Sequence, residues 1–140
     1  MPIESVARTG VMTAHRDQSA GNLATVMKEE DVGSVIIEDD DRPVGIVTDR
    51  DLVVEVLETR SDPSEVTAAD IMTATPVTVD LDEGIFSAIG VMHEHSVRRL
   101  PVVDSDGRIA GIVTLDDLVV MLTDELDDLA GVIEAESPPY

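Results

Sequence analysis

The chain has no cysteine and no tryptophan, one lysine (Lys28), one phenylalanine (Phe86) and one tyrosine (Tyr140). Without cysteine there is no disulfide framework and no thiol chemistry. Nine basic residues face 30 acidic ones, a net charge of −21. Nucleic acid is therefore excluded as a partner, because phosphate contacts need Lys and Arg to release counterions. No apolar run approaches the length of a membrane span, so no membrane role is expected. The N-terminus lacks the charged-then-apolar pattern of a signal peptide, and a cytoplasmic location is the expectation. Acidity of this degree fits a basic or cationic partner, or life at high salt, where screening removes self-repulsion. The carboxylates run through the whole chain and lysine is almost unused. That pattern favours the halophilic reading.

What is present is an aliphatic core fraction and a repeat. Hydrophobic residues make up 43% of 140 positions, enough for one compact domain or two closely packed halves. Gly45-Ile46-Val47-Thr48-Asp49-Arg50-Asp51-Leu52-Val53-Val54 returns as Gly111-Ile112-Val113-Thr114-Leu115-Asp116-Asp117-Leu118-Val119-Val120, identical at eight of ten positions. Upstream, an ungapped offset of 65 pairs Val6 with Ile71, Thr13 with Thr78, Asp17 with Asp82, Val26-Met27 with Val91-Met92 and Asp39 with Asp104. One extra residue near Gly107 then makes the offset 66. The likeness of Met12-Thr13 to Met72-Thr73 is a decoy, since it would force a gap. Two copies are too few for a solenoid and point to a pseudo-two-fold pair. The boundaries expected are repeat one at 6–57, a linker at 58–70, repeat two at 71–122, and a helix extension with tail at 123–140.

Each repeat reads as β-α-β-β-α. Short strands are expected at Val11–Ala14 and Val77–Val79, with Asp17 and Asp82 as helix N-caps. Helices follow over Ser19–Glu30 and Glu83–His95, from the spacing of Leu23, Val26, Met27 and of Ile85, Ala88, Ile89, Met92. Largely apolar strands, buried on both faces, are expected at Ser34–Glu38 and Arg99–Asp104. Turns lead to further strands at Val44–Val47 and Ile109–Val113, and helices open at Thr48 and Thr114. The last helix carries Leu115, Leu118, Leu122, Leu126, Leu129 and Ile133 in one stripe, to cover the core or meet a second copy. Glu136 to Tyr140 reads as a loose tail.

These motifs resemble a tandem pair of CBS (cystathionine-β-synthase-type) domains, a Bateman module. The doubled Gly-Ile-Val-Thr-x-x-Asp-Leu, Arg99-Leu100-Pro101-Val102-Val103-Asp104 and Thr75-Pro76-Val77 carry the likeness, which covers about Val6 to Leu122. The resemblance implies an α/β fold of two β-α-β-β-α repeats related by a pseudo-two-fold axis and packed through their sheets. It implies a homodimer and a non-enzymatic regulatory role. The ligand would be AMP, ADP, ATP or S-adenosylmethionine, with no cofactor required and an unidentified regulated protein as partner. The alternative is a structural module with vestigial clefts, acting through protein contacts.

Thr48-x-x-Asp51 and Thr114-x-x-Asp117 supply the chemistry. A threonine at a helix N-terminus offers a hydroxyl and a free N–H to phosphate, and an Asp in the first turn offers two acceptors to a ribose diol. A capping box uses the same residues. By the family pattern, the first cleft joins Thr48, Asp51 and Ile46 to Thr75, Pro76 and Val77, with Val97 to Leu100 lining a base pocket. The second joins Thr114, Asp117 and Ile112 to Gly10, Val11 and Met12, with Gly33, Ser34 and Val35. Gly10-Val11 stands where repeat two has Thr75-Pro76, so a threonine hydroxyl contact is lost there. Arg98 and Arg99 are assigned to the second cleft as phosphate partners, with an internal salt bridge as the competing role. Arg50 could serve the first cleft, although a solvated helix position is the plainer reading. His15, His93 and His95 lack metal-ligand spacing. No Gly-rich phosphate loop and no activated nucleophile or acid–base pair is evident.

Overall fold

A computed structural model describes residues 1–138. Two sheets form, one around each repeat. In repeat one β1 (Thr13–His15) pairs in parallel with β2 (Ser34–Asp39), which pairs antiparallel with β3 (Arg42–Thr48). In repeat two β5 (Val79–Asp80), β6 (Arg99–Val103) and β7 (Ile109–Thr114) repeat that order. The connecting helices are α1 (Ala20–Glu30) and α4 (Ile85–His95). α1 buries Ala20, Leu23 and Met27, and α4 buries Ile85, Ala88 and Met92. Leu100 to Val103 of β6 are all buried, as expected of a strand covered on both sides.

The extra residue of repeat two lies in its hairpin. In repeat one Asp40 and Asp41 both take positive φ (50° and 64°), a two-residue turn whose twist matches the strands. Repeat two uses the longer Asp104–Arg108 loop, and Gly107 supplies the left-handed residue at φ 79°.

The helix starts correct the expectation. Asp17 and Asp82 do not cap. The chain first makes a turn, fixed where the Gln18 side chain accepts the His15 N–H (3.0 Å) and Glu83 accepts the Asp80 N–H (3.2 Å). The helices therefore start later, at the N-caps Ser19 and Gly84. Ser19 accepts the Asn22 N–H. The first strands are also displaced: β1 begins two residues later than read, and β5 holds Val79 but not Val77.

The halves exchange their leading segments. A 3₁₀ turn at Ile3–Ser5 packs on repeat two: Ile3 N–H donates to Glu83 O (2.7 Å), Glu4 N–H to Leu81 O (3.1 Å), and Ile3 is fully buried with Val79, Leu100 and Val113. Its counterpart α3 (Ala68–Ile71) sits on repeat one, with Ala68 N–H on Gln18 O (2.7 Å) and Ala69 N–H on Arg16 O (2.9 Å). Ala68 joins the core of Leu23, Val35 and Val47. The next residues extend the exchange: β4 (Thr73–Ala74) adds to β3, and Arg8 bridges to Ile112 of β7. So the sheet of repeat one has four strands, and the segment read as linker ends in a helix that belongs to the first core. Burying Ile3 contributes about 2–3 kcal/mol to holding the halves together.

Gly45 and Gly111 have their reason here. The crossing segments pass directly over them: a Cβ at Gly111 would stand 2.5 Å from the Arg8 carbonyl oxygen, and one at Gly45 would strike the Met72 side chain. The repeated glycine of the Gly-Ile-Val-Thr motif therefore marks where the other half crosses.

The closing helices differ. α2 (Asp49–Leu52) continues into a π-helical turn, Val53–Leu57, whereas α5 (Leu115–Glu136) runs for 22 residues. Of the apolar stripe on α5 only Leu118 is fully buried. Leu126, Leu129 and Ile133 are exposed, so the stripe does not cover the chain's own core beyond its first turns. Among the described residues no charged side chain is buried. Of the tail, Pro139 and Tyr140 lie outside the described residues. No described helix is long and apolar enough to cross a membrane.

Candidate functional site

The hairpins end facing one another across the pseudo-two-fold axis: Ser34 is paired with Thr48, and Arg99 with Thr114. Between them lie two adjoining cavities. A cavity of about 380 Å³ is lined by Thr48, Asp49, Arg50, Arg98, Arg99, Thr114, Leu115 and Asp116. One of about 410 Å³ is walled by Gly10, Val11, Met12, Gly33, Ser34, Ile112, Thr114 and Arg99, with Arg8, Asp31, Val32 and Asp116. The structure thus brings Gly10 to Met12, Gly33, Ser34, Ile112 and Thr114 together, whereas Asp117, read into the same cleft, lines neither cavity and faces a separate hollow beside Arg8 and Val120. Val35 is fully buried and lines neither cavity.

The first-cleft residues are less gathered. Thr48 reaches the central cavity, but Asp51, Ile46, Thr75, Pro76, Val77 and Val97 line neither cavity, and Leu100 is buried in the core. Ile46 pairs with Thr73. Thr75 leaves β4 at φ 50°, its N–H on Val44 O (3.1 Å). That region is unfavourable for a β-branched residue, and its counterpart Gly10 does not occupy it. The two approaches to the first strand therefore follow different paths.

The arginines separate. Arg98 is exposed and stands 3.7 Å from Asp116, an outward ion pair of small energetic value. It lines the central cavity, not the second cleft to which it was assigned. Arg99 is half-buried and lines both cavities. A Cβ on Gly33 would meet its guanidinium at 3.0 Å, a tight approach to which the side chain would have to yield slightly. Among the described residues Arg99 is in no ion pair. In a chain of this charge, an unpaired guanidinium at the seam is a ready contact for an anion. Arg50 also lines the central cavity rather than only facing solvent. His15 has a partner of its own, Glu38 at 3.0 Å.

The two Thr-x-x-Asp motifs cap their helices differently. In repeat one the capping box is complete: Asp51 Oδ2 accepts the Thr48 N–H (2.8 Å) and Thr48 Oγ1 accepts the Asp51 N–H (3.3 Å). In repeat two Thr114 Oγ1 accepts the Asp117 N–H (3.2 Å) and its hydroxyl donates to Asp117 Oδ2 (2.9 Å). The Asp117 carboxylate is also gripped by Arg8, through Nη2 (2.7 Å) and Nε (3.1 and 3.2 Å). Hydrogen bonds from Arg8 hold its carboxyl below the usual range, against the opposing effect of burial. Sequence reasoning passed over Arg8, whose counterpart by register is the neutral Thr73. The available signal was its rarity, one of eight arginines.

Two β-α-β-β-α units paired about a pseudo-two-fold, with a helix start from each at the seam, define a tandem α/β module. The chain belongs to the CBS-domain family, which matches residues 3–58 and 68–124. It is 40% identical over 118 residues to an uncharacterized protein of Methanopyrus kandleri, covering 84% of this chain and 60% of that one. It is 37% identical over 114 residues to hypoxic response protein 1 of Mycobacterium tuberculosis, covering 81% and 79%. Among solved structures, the CBS domain pair of protein MJ0100, in complex with 5′-methylthioadenosine and S-adenosyl-L-methionine, superposes with a TM-score of 0.80 at 25% identity, covering 89% of this chain and 98% of that one.

Proposed function

We propose that the chain is a non-enzymatic regulatory module that binds an adenosyl ligand at the seam of its two CBS repeats. The observation that carries this is the cavity of about 410 Å³ walled by both repeats, with unpaired Arg99 and the α5 N-terminus at its edge. Apolar walls from Val11, Met12 and Ile112 suit a base, and Thr114 with Arg99 suits a phosphate. The ligands bound by the MJ0100 pair support an adenosyl class. Binding would alter the relation of the halves, and a partner protein would read that change.

A homodimer fits the same reading. Val53 and Val54 of the π-helical turn after α2 are equivalent by register to Val119 and Val120 of α5, and all four are exposed. Each repeat thus offers an exposed valine pair on its closing helix, a surface suited to a second copy. The exposed Leu126, Leu129 and Ile133 favour a second role in protein contacts, which would survive even with empty clefts. The acidic composition supports function at high salt.

Calorimetry at high salt with AMP, ADP, ATP, S-adenosylmethionine and NAD tests the reading. At least one should bind more tightly than millimolar; failure of all five removes the sensor role. Asp51→Ala and Asp117→Ala should each abolish one site, and unchanged stoichiometry in both rejects the assignment of the clefts.

A further inference from the structure

Arg8 and Asp117 lie 109 residues apart in the chain and form its shortest ion pair. Arg8 is not free to leave at its backbone. Its N–H donates to Ile112 O (2.9 Å) and its carbonyl accepts the Ile112 N–H (3.0 Å). Its side chain is free to move, being 71% exposed, while Asp117 is only 15% exposed. The guanidinium therefore acts as a tethered cover over a half-buried carboxylate. Arg8 walls the second cleft and Asp117 does not. Repeat one has no such cover, since among the described residues Asp51 meets no cation.

A carboxylate has about four acceptor positions. At Asp117 three donors already sit on the two oxygens: the Arg8 Nε–H, shared between both, the Arg8 Nη2–H on Oδ1 and the Thr114 hydroxyl on Oδ2. The carboxylate is only 15% exposed beneath the guanidinium, so a ribose diol that takes both oxygens displaces Arg8. A neutral adenosyl ligand would leave it without a partner. A ligand with an anionic group offers a replacement, beside Arg99 in the same cavity. Asp31 and Asp116 also face this cavity and oppose an anion, so two arginines rather than one are needed there.

Resting on the proposed adenosyl role of the second cleft, we propose that Arg8 is its specificity-determining residue. It closes the Asp117 carboxylate to neutral adenosyl compounds and yields it to ligands carrying phosphate.

The test uses the full chain with Asp51→Ala, so that only the second cleft binds, at one fixed salt concentration. AMP and adenosine are titrated into this protein with Arg8 intact, with Arg8→Gln and with Arg8→Lys, each checked for a wild-type circular dichroism spectrum. Arg8→Gln should tighten adenosine binding about two- to fivefold, the range an exposed ion pair supports. It should weaken AMP, so that the preference for AMP over adenosine falls about tenfold. Arg8→Lys, which keeps charge without the bidentate fork, should fall between. A merely structural tie would shift both ligands equally, so an unchanged AMP-to-adenosine ratio overturns the proposal while leaving the adenosyl role standing. Binding by wild type but by none of the Asp51→Ala proteins removes the second cleft, and Arg8's role with it. No binding to wild type removes both readings.

Discussion

The carboxylate of Asp51 satisfies the backbone of its own helix, whereas that of Asp117 is held by a residue from the far end of the chain. Sequence makes the two motifs equivalent; their neighbours make them different. The cause is the exchange of leading segments. Each repeat receives a strip of chain from before the other's first strand, and the strips are not alike. Repeat two receives Ile3 to Arg8, with a guanidinium at the crossing. Repeat one receives Ala68 to Ala74, with Thr73 at the same place. A duplicated unit thus acquires two different surroundings for the same motif without change in its most repeated residues.

The largest expected effect tests the exchange itself. In Gly111→Ala the new Cβ meets a backbone carbonyl, which cannot rotate away, so the N-terminal strip must shift and Ile3 lose its packing. The loss should be about 3 kcal/mol. Gly45→Ala meets the flexible Met72 side chain, which has other rotamers, and should cost about 1 kcal/mol. Urea denaturation of both variants measures the contrast. Equal costs would mean that the two crossings are equally tolerant and that the asymmetry ends at the side chains.

A smaller effect of opposite sign is expected at Thr75. Its left-handed conformation is costly for a β-branched residue, and Thr75→Gly removes that strain. Against this, glycine loses more entropy on folding. The net should be a gain of about 0.5–1 kcal/mol, read as a higher urea midpoint at unchanged slope. A loss of stability would show that the Thr75 side chain makes a contact worth more than its strain.

Much of this was legible before the structure. Apolar runs bounded by turn residues gave the strands, and helical spacing gave α1 and α4. The family resemblance, laid on the repeat register, grouped Gly10 to Met12 with Gly33, Ser34 and Thr114. The exchanged segments were not legible, because Ile3–Ser5 and Ala68–Ile71 are too short to carry a period. The caps failed for a local reason: Asp17 and Asp82 have the right chemistry, but Gln18 and Glu83 fix a turn that postpones the helix. Arg8 was hidden because its partner is distant in sequence and its register counterpart is uncharged.

The smallest effect isolates the ion pair through pH. Arg8 holds the Asp117 carboxyl below its ordinary value, so the unfolded chain takes up that proton at a higher pH than the folded one. Stability from the pair is therefore complete above about pH 5 and is lost as pH falls through about 4 and below. Asp62 and Asp70 are lowered too, by Ser64 and Thr67, which Arg8 does not touch. Their contributions cancel when wild type is compared with Arg8→Gln at each pH. The difference should be flat between about pH 5 and about pH 7, at under about 1 kcal/mol because Arg8 is largely exposed. It should shrink toward zero as the solution is acidified. Added salt should shrink it at neutral pH as well, since an exposed pair is screened. A difference that grows on acidification would mean that Arg8 stabilises the fold through its backbone position or its stem rather than through Asp117. The second cleft would then differ from the first by shape and not by charge.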